Sequence, residues 1–195
     1  VISNDITLSC NTPNEESVEG PVTSVEDVTL AIYQEMRDIE SVIETVRRLY
    51  GYNYFRVLYD GINLYENFQS IDDIFQLPNI SVVFRTNTAT FGVSHCKPVT
   101  SEWNNDDKLT VFSVDSALIH EPIVFRSYNS SSSRIIGDEY DVFEFCYLDF
   151  NQAQLTLSPS FNIHFIDFTR LGTSIFGGSD PIKLSVISVC IVQWQ

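Results

Sequence analysis

The sequence predicts an all-β protein, an antiparallel β-sandwich that carries one main helix at about residues 38–50. Three observations indicate this class. The 195 residues include 14 Phe and 9 Tyr but only one Met, and aromatic side chains favour the faces of β-sheets. Short apolar segments separated by polar turns recur along the chain, as they do in sandwiches. Only one segment has the spacing of an amphipathic helix.

The predicted helix ends before Gly51, a residue type that commonly terminates helices in the left-handed conformation. Asp38 and Glu40 suit the positive N-terminal end of the helix dipole, while Arg47 and Arg48 suit its other end. Apolar residues repeat every three or four positions on one face: Ile39, Val42, Ile43, Val46, Leu49 and Tyr50. We expect this face to be buried against a core or a neighbouring subunit.

Strands are predicted on both sides of the helix from alternating or continuous apolar segments. They cover residues 5–10, 28–33, 54–59, 62–65, 80–84, 109–114, 122–128, 140–150, 161–168 and 182–194. Asp60-Gly61 is predicted to be a hairpin turn. Residues 91–107 are expected to form a long polar loop, residues 129–133 an exposed Ser-rich loop and residues 172–180 a Gly-containing loop. The last strand is apolar nearly throughout, which predicts a central strand buried on both faces.

Composition argues against several classes of function. The net charge is −15, and no cluster of Lys and Arg could hold a phosphate backbone, so direct strong RNA binding is not expected. No apolar segment is long enough to span a membrane. Four scattered cysteines lack the spacing of a metal or redox site and are interpreted as structural thiols: Cys10, Cys96, Cys146 and Cys190.

The sequence predicts no catalytic, cofactor-binding or metal-binding residues, and therefore not an enzyme. His95 and Cys96 are adjacent, so in an extended strand their side chains point to opposite faces and cannot form a nucleophile–base pair. His164 is expected at the surface. Paired carboxylates such as Asp106 and Asp107 are interpreted as a solvated face. Gly177-Gly178 is followed by neither a helix nor a lysine, and so is not a phosphate-binding loop.

Two segments carry a resemblance that spans the whole chain. IESVIETVRRLYGYNYFRVLY (residues 39–59) and TVFSVDSALIHEPIVFRSYN (residues 110–129), in the order two strands, helix, about six strands, resemble coat proteins of picorna-like viruses. The small coat proteins of the plant secovirus family, cheraviruses especially, are the most similar. The resemblance implies one eight-stranded antiparallel jelly-roll domain over residues 1–195. Its charge of −15 is unusually acidic for such a protein.

The same resemblance implies a structural capsid protein of a non-enveloped RNA virus. Its partners would be the other coat protein subunits of the same virus, assembled into an icosahedral shell in the host cytoplasm, and its location the virion. Val1 and Gln195 would then be polyprotein cleavage termini, because the chymotrypsin-like proteases of these viruses leave a terminal Gln.

An alternative resemblance covers about residues 27–86. The segments VTLAIY, IESVIETVRRLYGY, FRVLY and ISVVFR are similar in order to a ubiquitin-type β-grasp, followed here by a β-sandwich. This alternative implies an intracellular adaptor whose sheet recruits a partner protein.

Overall fold

The computed structural model describes residues 39–61, 68–177 and 182–195, with residues 68–70 described for their backbone only. All of them belong to a unit that spans residues 37–195. Several predictions fall outside the described residues: the strands at 5–10, 28–33 and 62–65, and the first residue of the helix. The prediction of a single domain over residues 1–195 therefore stays a prediction.

The described residues form eleven strands, three helices and one 3-10 helix. Helix α1 covers residues 39–50, and the first half continues with β1 (Phe55–Gly61), α2 (Phe68–Phe75), β2 (Ile80–Thr86), β3 (Ala89–His95), β4 (Asn104–Asp106) and β5 (Thr110–Ser116). The second half comprises β6 (Ile123–Arg126), β7 (Ser131–Ile136), β8 (Glu139–Val142), β9 (Cys146–Asp149), β10 (Gln154–Leu157), α3 (Phe161–His164), a 3-10 helix (Gly172–Phe176) and β11 (Ile182–Trp194). The predicted all-β class and its main helix are confirmed.

Strand β11 links two antiparallel sheets. Its first part, from Ile182 to Ser185, pairs with β10, whereas its second part pairs with β2 on one edge and with β1 on the other. Sheet A therefore has the order β1-β11-β2-β3-β5-β6, and sheet B the order β4-β7-β8-β9-β10-β11. The predicted boundaries of the last strand, 182–194, match the observed ones.

The main core lies between the two sheets. Phe84 of β2 packs against Tyr140 of β8, with 6.4 Å between ring centroids. Phe91 of β3 packs edge to face against Phe145, at 6.3 Å. All four rings are excluded from solvent, so the two sheets form a sandwich around an aromatic core.

Helix α1 covers the other face of sheet A. Ile43 and Val46, which are 2% and 0% exposed, join a second cluster with Val83, Phe112 and Val192. Successive residues of β2 consequently point into different clusters, Val82 toward sheet B and Val83 toward α1. This double burial explains why central strands of sheet A are apolar on both faces.

The jelly-roll connectivity is not confirmed. A jelly roll contains Greek keys, in which strands distant in sequence lie side by side. In the described residues, six pairs join strands that follow one another within one sheet: β2–β3, β3–β5, β5–β6, β7–β8, β8–β9 and β9–β10. Four pairs join strands that are more distant in sequence: β1–β11, β2–β11, β4–β7 and β10–β11. The described strands therefore combine two meanders, β2-β3-β5-β6 and β7-β8-β9-β10, with long-range pairs of β11 and β4, and they number eleven rather than the predicted eight.

The prediction of loops is wrong for two segments. Residues 91–107 contain most of β3 and all of β4, and the Ser-rich segment continues into β7. In β7 the side chains of Ser131, Ser133 and Ile135 are buried in alternation. Serine is small enough to pack inside a sheet, so its polarity did not exclude the strand.

The predictions of a strand at residues 161–168 and of a turn at Asp60-Gly61 are also wrong. Residues 161–168 begin with helix α3, and the rings of Phe161 and Phe165 stack at 5.0 Å. The sequence FNIHF places aromatic residues four positions apart, which suits a helical turn as well as an alternating strand. Asp60 and Gly61 lie inside β1. Residues 140–150 divide into β8 and β9, because a turn interrupts them at 143–145.

Candidate functional site

His95 is a structural residue of the core. Its Nε2 is hydrogen-bonded to the hydroxyl of Tyr140, and its Nδ1 lies 3.3 Å from Ser133 Oγ. Burial lowers the pKa of His95 to about 4, so the ring is neutral near pH 7. Cys96 lies on the opposite side of sheet A, where burial raises the pKa of its thiol. The side chains of His95 and Cys96 therefore point to opposite faces, as predicted for neighbours in an extended strand, and do not form a catalytic pair.

Asp106 corrects the interpretation of the carboxylate pair at 106–107. Its side chain is buried, and its Oδ2 accepts hydrogen bonds from the backbone amides of Cys96 (2.7 Å) and Lys97 (3.0 Å). Its Oδ1 accepts the amide of Lys108 at 3.0 Å. Asp106 therefore fixes the end of β3 to the turn before β5, whereas the side chain of Asp107 is 71% exposed.

Gln195 and the other two histidines, His120 and His164, have separate surroundings in the described residues. Val1 lies outside the described residues. The backbone of Gln195 exchanges hydrogen bonds with that of Tyr54, which extends the β1–β11 ladder. His120 is exposed beside Asp115. His164 is half-buried in α3, which agrees with the predicted position near the surface.

An exposed aromatic surface lies where β4, the β6–β7 loop, the β8–β9 turn and α3 meet. We call it the aromatic surface and define it by Trp103, Tyr128, Phe143, Ile163 and His164. Its large side chains remain in contact with solvent: Trp103 is 43% exposed, Phe143 45%, Tyr128 60% and Ile163 69%. Soluble proteins rarely leave several such side chains together in water without a binding role.

Backbone hydrogen bonds hold the aromatic surface in place. The amide of Phe143 donates to Ser132 O at 2.8 Å, and the amide of Tyr128 donates to His164 O at 2.9 Å. The ring of Phe143 makes edge-to-face contacts with Trp103 (6.0 Å) and His164 (5.6 Å). The rings are therefore positioned by main-chain structure.

Arg134 and a cavity complete this surface. The guanidinium of Arg134 lies 4.5 Å from the centre of the Trp103 ring and forms an ion pair with Asp141 at 3.4 Å. A cavity of about 220 Å³ opens between Tyr128, Phe143 and the α3 residues. Such a cavity fits one or two side chains of a partner.

A row of polar side chains crosses sheet A beneath the C-terminal end of α1. The strand registers pair Ser81 with Ser94, Ser94 with Thr110, and Thr110 with Arg126. Hydrogen bonds join Ser81 to Ser94 and the Tyr50 hydroxyl to Thr110. Burial raises the pKa of Tyr50 to about 12, so its hydroxyl remains a proton donor. We call these five residues the polar row.

A cleft of about 560 Å³ adjoins the polar row at the end of α1. It is lined by Leu49, Tyr50, Tyr52, Ser94, Cys96, Asp107, Lys108, Leu109, Thr110, Val124, Arg126 and Ser127. Sequence analysis missed both the cleft and the aromatic surface, because their residues come from distant segments. The sequence signal that could have indicated the polar row was serine within otherwise apolar strands, as at Ser81 and Ser94.

The described residues contain no group of three or more His, Cys, Asp and Glu side chains that could hold a metal ion. No helix in this part of the chain is both long and apolar enough to cross a membrane.

The chain matches no protein-family model. Comparison with curated proteins finds no similar sequence.

Proposed function

We propose that this protein acts by binding other proteins through its aromatic surface, and not by catalysis. The observation that carries this proposal is the exposed cluster of Trp103, Tyr128, Phe143 and Ile163. Tryptophan, tyrosine and arginine are the residues most enriched among those that dominate binding energy at interfaces. Arg134, stacked over Trp103, adds the third of these types to the same place.

The buried ionisable groups support a binding role because they are engaged in structure. His95 is held between Tyr140 and Ser133, and the carboxylate of Asp106 accepts three backbone amides. Neither is available to transfer a proton to a substrate. These two groups of the described residues therefore serve the fold, which is consistent with the proposed binding role.

One form of this function is a viral coat protein, as the sequence resemblance implies. The aromatic surface would then bind sibling coat subunits, and copies would close an icosahedral shell in the host cytoplasm. Shell contacts are large and apolar, which suits exposed aromatic side chains. This form depends on the sequence resemblance, since the jelly-roll connectivity is not confirmed.

The second form is an intracellular adaptor that binds a different protein. Among the described residues, α1 packs on Phe112 of β5 and Val192 of β11 as well as on β2, so the helix shares a core with later strands of the sandwich. The adaptor would be one sandwich that presents the aromatic surface to its partner. Its charge of −15 favours a basic partner.

Mass measurement of the purified chain by light scattering, with electron microscopy, separates these forms. We expect particles or oligomers under the coat-protein form and a monomer under the adaptor form. For an adaptor, a photo-reactive residue at position 128 would crosslink the partner in cells.

The double substitution Trp103→Ala and Phe143→Ala should abolish either association. Ile187→Ala, which removes a 48% exposed side chain of β11, is the control and should not. Associations that survive the double variant would refute a role for the aromatic surface.

A further inference from the structure

We propose that the cleft beside the polar row binds a small organic anion through Arg126 and Lys108, with the apolar body of the ligand against the end of α1. The cleft volume of about 560 Å³ lies within the range of roughly 300–1,000 Å³ that is usual for small-molecule sites. Like those sites, it combines apolar walls with a few polar groups that converge on one place.

Arg126 is the principal anchor for the anionic group. Its partner across the β5–β6 ladder is Thr110, whose hydroxyl is bonded to Tyr50. Directly paired residues in a ladder have their Cβ atoms about 5 Å apart, so the Arg126 side chain leaves β6 next to the Thr110 and Tyr50 hydroxyl groups. Arginine recognises phosphate and carboxylate with two parallel hydrogen bonds, which are stronger than neutral ones.

The positive charge in the cleft is available to a ligand. Among the described residues, no carboxylate lies within ion-pair distance of Arg126 or Lys108. Asp107, the acidic residue of the lining, is instead within 3.7 Å of Lys97. The lining thus has two cationic side chains and one carboxylate, in a chain whose net charge is −15.

The remaining walls indicate the body of the ligand. Leu49 and Tyr52 come from the end of α1 and the turn after it, while Val124 comes from β6. The Tyr52 ring is fixed by stacking on Trp194, with centroids 4.8 Å apart. These walls suit a small ring or a short apolar chain attached to the anionic group.

Titration calorimetry on the purified full chain tests this site with three probes: phenyl phosphate, benzoate and benzyl alcohol. The first two carry the two possible anionic groups on the same ring, and their relative affinity decides between phosphate and carboxylate. Benzyl alcohol is the neutral control. We expect at least one anion to bind, and Arg126→Gln to weaken it by about tenfold or more, since hydrogen bonds to charged groups contribute that much.

Arg56→Gln is the matched control. Arg56 is also exposed, and it lies on β1 at the opposite edge of sheet A, five strand spacings or about 24 Å from β6. The Arg56→Gln variant should bind the anionic probes with the same affinity as the wild type. Tyr50→Phe, which keeps the ring and removes the hydroxyl, should weaken binding severalfold. Circular dichroism verifies that each variant is folded.

Three results would overturn the proposal. They are binding of benzyl alcohol as tight as that of the anions, equal affinity in the wild type and Arg126→Gln, or no binding of either anion by the folded wild type.

Discussion

The two outer regions of the sandwich differ in what covers them. On sheet A, helix α1 excludes solvent from Val83 and Phe112, and Val46 of the helix is 0% exposed. At the edge of sheet B, the aromatic surface leaves Trp103 and Phe143 43% and 45% exposed. Both regions contain large apolar side chains, but among the described residues only those of the first region are almost fully excluded from solvent.

This difference separates residues that stabilise the fold from residues available for recognition. Under α1, the buried polar groups of Trp194, Ser81 and Ser94 are paired: Trp194 Nε1 donates to Ser81 Oγ at 2.7 Å, and Ser81 is bonded to Ser94. A buried polar group without a partner costs about 1–3 kcal/mol. At the aromatic surface the rings remain in water, and their free energy of burial is available to a partner.

The largest effect is expected from Val46→Asp. The new carboxylate would be buried between α1 and sheet A without a cation beside it, which typically costs 3–5 kcal/mol. We expect loss of about 4 kcal/mol in the free energy of unfolding, or failure to fold, as measured by urea denaturation. Ser41→Asp, at an exposed position of the same helix, should change stability by less than about 0.5 kcal/mol. Equal effects of the two substitutions would contradict the packing of α1.

Asp106→Asn should have the next largest effect. The amide group keeps the size of the side chain but presents an N–H toward backbone amides that now donate to Asp106 at 2.7–3.0 Å. Hydrogen bonds to charged groups contribute about 1.5–3 kcal/mol, so we expect a loss of about 2–3 kcal/mol. Asp107→Asn, at the exposed neighbour, is the control and should be near neutral in the same denaturation assay.

His95 should make stability depend on pH. Its folded pKa of about 4 is below its ordinary value of 6.5, because burial disfavours the charged ring. The unfolded chain therefore takes up a proton first as pH falls. The full stability is present above pH 6.5 and is lost progressively between pH 6.5 and 4, by about 3 kcal/mol in total.

Urea denaturation across this range, with His95→Gln for comparison, checks the effect. The His95→Gln variant should be less stable at pH 7 but should lose less stability between pH 6.5 and 4.

Glu44 affects stability in a different pH range. Its hydrogen bonds to Arg47 and Arg48 lower its pKa from 4.5 to about 2, so its contribution disappears only below pH 4.5. If the stability of His95→Gln fell with pH in the same way as that of the wild type does, His95 would be excluded as the origin of the pH dependence.

The sequence predicted the elements that have a single clear period. Helix α1 has apolar residues at helical spacing, and β11 is apolar nearly throughout, so both were located from the sequence. Segments with ambiguous patterns were misassigned. Phe161 and Phe165 fit either a strand or a helical turn, and their stacking in the core decided for the helix.

The candidate sites could not be predicted, because pairing between distant strands creates them. The polar row depends on registers that place Ser94 of β3 beside Thr110 of β5 and Thr110 beside Arg126 of β6. The aromatic surface likewise joins Trp103 to Phe143, forty positions along the chain. Composition supports an expectation against strong nucleic-acid binding but cannot locate a site, since net charge is summed without regard to register.

The smallest effect on stability is expected at the aromatic surface. Trp103→Ala removes a 43% exposed ring, its contact with Phe143 and the stacking of Arg134. An exposed cation–π contact contributes about 0.5–1 kcal/mol, so the free energy of unfolding should fall by no more than about 1 kcal/mol. Association should fall by at least about tenfold, because tryptophans at interfaces commonly contribute 2 kcal/mol or more. Urea denaturation and sedimentation velocity of the same sample measure the two quantities. A large loss of stability with unchanged association would assign Trp103 to the fold, and would remove the distinction between the two regions.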